Sequence, residues 1–235
     1  MRSSKTAIII PIKKFGYSKT RLGSFLNPME RKELTKLLML ETLEKVSSLQ
    51  QQKQIIVVSG ERFGPTDKFR DIVLIEENDL NGVNNAIGLA NRFIKDGEFS
   101  ESLVIPIDLP FLSAKDLSDV IETSRKFEKG ICIVPSKRFD GTNVLLRKPN
   151  LVIDTFYDNN SFHNHVKTAA ENNVSIEIIK NENLMIDLDT VDDVVEIMGR
   201  YNTLLDGLRT DSGMEGSKSI IFLNDKMKHR LKKNN

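Results

Sequence analysis

Three groups of residues in this 235-residue chain have the types and spacing for phosphate chemistry. The first is Lys13, Lys14, Lys19 and Arg21, four cations within nine residues around Gly16, directly after the apolar run Ile8 to Ile12. Arginine grips a pair of phosphate oxygens and lysine supplies a point charge. Such a loop makes a cradle for a polyanion such as a nucleoside triphosphate, with a solvated basic loop as the alternative. It is not a Walker loop, because the Gly-x4-Gly-Lys-Ser/Thr spacing is absent. The second group is Asp108, which follows the apolar run Leu103 to Ile107 and precedes Leu109-Pro110. A carboxylate there can bind Mg²⁺, which takes oxygen ligands, or it can simply serve the turn that Pro110 imposes. The third is Asp187 and Asp189, which in an extended segment point to one face. Two converging carboxylates repel each other unless a cation lies between them. Capping of the next helix does not need them, because Thr190 and Asp193 already fit a capping box.

Other candidates carry weaker signals. Gly141-Thr142-Asn143 could present a backbone N–H and a hydroxyl to a small anion, although a plain turn is commoner. Ser161 opens an expected helix and suits either a cap or a phosphate contact. His163 and His165 are two apart, so on a helix they face different ways. They are read as surface histidines. Cys132 lies in the apolar run Ile131 to Val134 and reads as an inert buried thiol.

These residues need elements to place them. Continuous β-branched runs predict strands over residues 6–12, 54–59, 71–75, 103–107 and 130–135. Shorter strands are expected over 144–147, 174–179 and 184–189. Asn27-Pro28-Met29-Glu30 opens a helix that runs to about Leu49. Further helices are expected from about Ile87 to Lys95, from Ser113 to Phe127, over 161–172, and from Thr190 onward. The alternation of strand and helix implies an α/β protein with a mostly parallel mixed sheet covered by helices on both faces. Ligands in such sheets lie beyond the carboxyl ends of the strands, where the basic loop and Asp108 both fall.

Composition narrows the class. A formal net charge of +1 argues against a general polyanion binder, so no nucleic-acid partner is expected. The charge is uneven: residues 217–235 carry net +5, leaving −4 for residues 1–216. The chain is therefore divided into a domain over 1–208 and a basic tail over 209–235, partly mobile or docking. Within that tail, 219–223 is expected as a strand or docking segment and 224–235 as mobile. One cysteine forms no internal disulfide, which fits a reducing cytoplasm. No signal-peptide shape or membrane-length apolar run is present.

Taken in order, the motifs resemble a known family. They are Ile-Ile-Pro-Ile-Lys at 9–13, Ser-Lys-Thr-Arg-Leu at 18–22, Gly82-Val83-Asn84, Asp108-Leu109-Pro110, Asp140-Gly141-Thr142-Asn143, Ser161-Phe162 with His165, and Asp187-Leu188-Asp189-Thr190. The family is the guanylyltransferases that make the phosphodiester precursor of the deazaflavin coenzyme, whose best-known archaeal member acts on 2-phospho-L-lactate. The resemblance covers roughly residues 6 to 198. It implies a nucleotidyltransferase fold of the glycosyltransferase-A type. It places Lys13, Lys19 and Arg21 on the GTP phosphates, Gly82 and Asn84 near the nucleoside, and Mg²⁺ on Asp108, Asp187 and Asp189. Lys13, Arg21 and Asp108 would carry catalysis. The acidic acceptor, a small phosphorylated three-carbon acid, would lie against Thr142 and Ser161. Asp158 stands where the family often has glycine, three residues before Ser161, and bears on acceptor choice. Phosphoenolpyruvate and 3-phospho-D-glycerate are alternative acceptors, and a homodimer is the default assembly. A sugar-phosphate or molybdopterin nucleotidyltransferase of the same fold is one rival. A non-catalytic nucleotide-binding module is another.

Overall fold

The computed structural model describes residues 5–60, 69, 72–77, 82–207 and 217–231. Seven strands form one sheet: β1 (Thr6–Ile12), β2 (Lys53–Ser59), β3 (Ile72–Glu76), β4 (Glu101–Val104), β5 (Gly130–Pro135), β6 (Thr142–Lys148) and β7 (Ser175–Ile178). Their order across the sheet is β3-β2-β1-β4-β6-β5-β7. β6 alone runs antiparallel to both its neighbours, and the remaining pairs are parallel. The expected mixed, mostly parallel sheet is what forms.

β1 shows why the layers stack as they do. Successive side chains of a strand face opposite ways. Ile8, Ile10 and Ile12 pack with Met39, Leu43 and Val46 of α1 (Pro28–Ser47) and with Leu117 and Val120 of α3 (Ala114–Thr123). Ala7 and Ile9 face the other way, onto Ala86, Ile87, Ala90 and Ile94 of α2 (Gly82–Lys95). Ile131, Ile133 and Leu145 meet Phe162 and Ala169 of α4 (Ser161–Glu171). Both sheet faces are thus covered. The chain leaves β1 outward through β2 and β3, then returns to place β4 on the other side of β1. That reversal opens a crevice beyond the carboxyl ends of β1 and β4.

Local signals hold at the starts of α1 and α3, whereas α2 begins at Gly82, inside the stretch expected as a polar loop. Asn27 with Glu30 and Ser113 with Asp116 both form reciprocal capping boxes. Most strand ends fall within two residues of expectation. Asp71 lies outside the described residues. β4 stops at Val104, although Ile105 N–H still donates to the Ile9 carbonyl at 3.0 Å.

Two expectations need correction. Residues 184–189 are not a strand. Asn181 Oδ1 accepts the N–H groups of Asn183 and Leu184, starting a helical turn, α5 (Glu182–Met185). The chain then runs through 186–189 without joining the sheet, to α6 (Val191–Gly207). The second correction concerns the end of the chain. Residues 219–223 are helical, and 224–231, expected as mobile, continue the same helix, α7 (Lys218–Leu231). Ile220 and Leu223 are buried with Leu22, Phe25 and Leu26 of the basic loop region, Leu34 and Leu38 of α1, and Ile197 and Met198 of α6. The Glu41 carboxylate anchors the start of α7, accepting from Ser217 Oγ (2.8 Å), Ser219 Oγ (2.7 Å) and Ser219 N–H (3.2 Å). Residues 209–216 and 232–235 of the expected tail lie outside the described residues.

Leu223 is fully buried, so Leu223→Ala should lower the unfolding free energy by about 2–4 kcal/mol, the usual cost of a core leucine. Urea unfolding measures this, and an unchanged midpoint would show that α7 does not belong to the core.

Candidate active site

The crevice is a cleft of about 400 Å³. One wall is the loop after β1, built from two short 3₁₀ turns, Phe15–Tyr17 and Thr20–Leu22. Phe15 and Leu22 are buried and pin the loop at both turns. Between the turns Lys19 adopts a left-handed backbone, φ 56°, a conformation that strains a residue with a Cβ by an amount on the order of 1 kcal/mol. Lys13, Lys19 and Arg21 line the cleft, whereas Lys14 opens on a neighbouring cavity of about 300 Å³.

Asp108 and Asp189 face this loop. The Lys19 ammonium donates to Asp108 Oδ2 at 2.9 Å and to Asp189 Oδ1 at 3.0 Å. Its side chain is only 6% exposed. Burial alone would lower the Lys19 pKa, but the two carboxylates outweigh it and hold the ammonium above its ordinary value. Burial works against the Asp189 carboxylate too. Lys19, with Arg21 and Lys13 behind it, nonetheless brings Asp189 below the usual range. Asp187 is the third aspartate of the expected set. It lines a separate cavity of about 380 Å³ with Ser136, Arg138 and Asp193. Burial, then the charges of Asp108 and Asp189, push its carboxyl up to about 6. Among the described residues, no three acidic, histidine or cysteine side chains are gathered as a ready ion cage. The donor set is nevertheless all oxygen, as Mg²⁺ requires, and Lys19 supplies the positive charge between two of the three aspartates.

The segment holding Asp187 and Asp189 is fixed by what lies between them. Leu188 is fully buried in the cluster that contains Leu22, Phe25 and Leu26. Its N–H donates to the Asp108 carbonyl at 2.9 Å. At the far end, Asp193 Oδ2 accepts the N–H groups of Asp189 and Thr190, and Asp193 N–H donates to Thr190 Oγ1, so the expected capping box forms.

The opposite wall carries Thr142 and Tyr157. Of the three residues expected there, only Thr142 lines the cleft. Ser161 is buried behind it, and its Oγ accepts the Thr142 N–H at 2.9 Å. Asp158 is exposed and lies outside the cleft lining. Asn84 accepts the Tyr157 N–H at 2.8 Å, so it anchors this wall to the start of α2. Gly82 lines the 300 Å³ cavity, and its φ of +81° is a backbone state that suits glycine.

His165 is the residue that sequence reasoning misplaced. It is fully buried, not a surface group. Its Nδ1 is 3.0 Å from Thr142 Oγ1, and its Nε2 accepts the Phe156 N–H at 2.9 Å. Tyr157 packs edge-on against it, centroids 4.9 Å apart. The signal was the Ser161-x3-His165 spacing, which puts both residues on one face of α4. His163, exposed beside Phe162, is the surface histidine expected.

A family model described as guanylyl transferase, CofC-like, matches residues 6–204. The chain belongs to this family. It is 31% identical over 193 residues to a 2-phospho-L-lactate guanylyltransferase of Methanobrevibacter smithii, covering 81% of this chain and 82% of that one. A protein of the same name from Methanosphaera stadtmanae is 30% identical over 226 residues, covering 90% of this chain and 96% of the relative. In fold, the chain resembles a protein of Desulfovibrio desulfuricans assigned as a nucleotide-diphospho-sugar transferase, with TM-score 0.70, 14% identity and 97% of each chain covered. It also resembles a Pyrobaculum calidifontis mannosyltransferase solved with GDP-mannose and Mn²⁺, with TM-score 0.53, 10% identity, and 97% of this chain and 75% of that one covered. The fold is the glycosyltransferase-A type of nucleotidyltransferase, as the motif resemblance implied.

Burial, then the charge of Arg147, pushes the His165 imidazole down to about 4. The unfolded chain, with a histidine near ~6.5, therefore binds more protons than the folded one between these values. Stability should fall as pH drops from about 6.5 towards 4, by an amount on the order of 3 kcal/mol. Urea unfolding across that range should show this slope weakened in His165→Asn. Equal slopes in both proteins would contradict the assignment of a neutral buried His165.

Proposed function

We propose that this chain joins GMP from GTP to a small phosphorylated three-carbon acid, 2-phospho-L-lactate in the first instance, releasing pyrophosphate in a step of deazaflavin coenzyme biosynthesis. The observation that carries the proposal is a single cleft in a member of this family, with Lys13, Lys19 and Arg21 on one wall and Asp108 and Asp189 facing them. The bond that forms joins an acceptor phosphate oxygen to the α-phosphorus of GTP. The bond that breaks joins that phosphorus to the bridging oxygen of the leaving pyrophosphate. An acceptor phosphate is already ionised at neutral pH, so no protein base is required. The protein's task is positioning and charge neutralisation.

Arg21 and Lys13 are exposed at the cleft and suit the triphosphate oxygens, Arg21 as a paired grip and Lys13 as a point charge. Asp108 and Asp189, with Asp187 beside them, are the residues that would hold Mg²⁺, which supplies charge neutralisation at the reacting phosphates. With a cation on those carboxylates, Lys19, which now pairs with Asp108 and Asp189, would be available to the triphosphate. The Gly82 and Asn84 end of α2 is read as the nucleoside side. The Thr142 wall, braced by Ser161 and bordered by Asp158, is read as the acceptor side. We place the enzyme in the cytoplasm, in keeping with its lone cysteine, Cys132, whose buried thiol is pushed up to about 12. A homodimer is the expected assembly.

Single-turnover reactions with GTP and 2-phospho-L-lactate, phosphoenolpyruvate or 3-phospho-D-glycerate should show fastest product formation with the first. A clear preference for another acid would reassign the acceptor while keeping the reaction. Asp108→Asn should lower turnover by at least about a hundred-fold, the scale of losing charge stabilisation at a reacting group, with little change in melting temperature. Arg21→Ala should cost about 2 kcal/mol in kcat/KM for GTP, as for a charge-assisted contact. Unchanged kinetics would make the loop a solvated surface.

A further inference from the structure

The direction of the Thr142 hydroxyl decides what the acceptor wall can bind. A hydroxyl has one proton to give and lone pairs to receive. Phe156 N–H donates to His165 Nε2 at 2.9 Å, so that nitrogen carries no proton. A neutral imidazole then has its proton on Nδ1. That N–H points at Thr142 Oγ1, 3.0 Å away, and occupies a lone pair of the hydroxyl. The Thr142 proton has no acceptor among the described residues, and Thr142 lines the cleft. The arrangement is held from several sides. Ser161 fixes the Thr142 backbone, Asn84 fixes Tyr157, and the Tyr157 ring packs against the imidazole. Complete burial of His165 opposes a second proton, which would put a donor against the Phe156 N–H.

We propose that His165 is a positioning residue that fixes the Thr142 hydroxyl as a hydrogen-bond donor toward an anionic oxygen of the acceptor. The wall therefore selects a carboxylate or phosphate oxygen at this point and disfavours a group that can only donate. This inference rests on the guanylyl-transfer reading above and deepens it, because it says how the cleft recognises an acid.

The chemistry of the amide side chains supplies the test. An asparagine amide reaches the place of Nδ1 and can still donate to Thr142, whereas a glutamine amide reaches the place of Nε2 and can serve Phe156 only. His165→Gln should raise the KM for the phosphorylated acid about ten-fold, as for loss of one hydrogen bond to a charged group, and leave the KM for GTP unchanged. His165→Asn should stay near wild type. Thr142→Val should match His165→Gln, and the double variant should be no worse than Thr142→Val alone, because the two act through one contact. Multiplying effects, or equal rises in both KM values, would overturn the proposal. So would an unchanged acceptor KM in Thr142→Val, even if His165→Gln failed to fold. Failure of the wild type to turn over any phosphorylated acid with GTP would instead remove the functional reading, and the inference with it.

Discussion

Negative charge brought together at the carboxyl ends of the strands has to be balanced, and this requirement organises the molecule. Asp108 and Asp189 come from loops 81 residues apart in sequence and meet on one buried ammonium, that of Lys19. Asp108 and Asp189 are 24% and 42% exposed, and either still pairs the ammonium when the other is lost, so removing one carboxylate costs less than breaking a fully buried pair. The pair also dictates backbone. Lys19 is held in a left-handed conformation between two turns, and Leu188 N–H ties the second aspartate segment to the Asp108 carbonyl. The apolar side of the same constraint is the cluster that buries Leu22, Phe25, Leu26 and Leu188 together with Ile220 and Leu223 of the last helix. The cation-bearing loop and the Asp187–Asp189 segment therefore share one hydrophobic foundation.

The Thr142 and Tyr157 wall of the cleft is anchored as well. Asn84, near the start of α2, accepts the backbone N–H of Tyr157 on this wall. Thr142, Ser161 and His165 then form a short hydrogen-bonded chain from the end of the sheet into α4. Buried hydrogen bonds of this kind rigidify the groups they join, and here they leave the Thr142 proton facing the cleft. In a member of the guanylyl transferase family, such an arrangement suits a reaction in which two anionic substrates must be aligned and little proton transfer is asked of the protein.

Much of this was legible before any coordinates. β-branched runs such as Ile8 to Ile10 and Ile55 to Val58 can be buried on both faces only in a covered sheet, and they form the adjacent parallel strands β1 and β2. Capping boxes at Asn27, Ser113 and Thr190 are local chemistry, and all three form. The basic loop and Asp108 were visible because a strand end is a definite place. What escaped depended on partners distant in the chain. Residues 184–189 have strand-like composition, but Asn181 starts a turn and no sheet neighbour takes them. Residues 219–223, read as a strand or a docking segment, do dock, but as part of a helix that runs on through 224–231, with Ile220 and Leu223 held by the basic loop, α1 and α6. Sequence spacing also does not say which of Asp187 and Asp189 meets Lys19; the salt bridge falls on Asp189, while Asp187 lines a neighbouring cavity. His165 looked like a surface group because its burial is set by Thr142, Phe156 and Tyr157, none of which its immediate neighbours reveal.

Transfer by this cleft would require nucleotide, acid and cation together. The most direct measurement is pyrophosphate release from GTP by the purified chain, with the phosphorylated acid, the divalent cation and the enzyme each omitted in turn. Release matched one-to-one by a GMP–acid conjugate is expected in the complete mixture, and none in any omission. Pyrophosphate released without the acid, or a conjugate formed without a divalent cation, would contradict it.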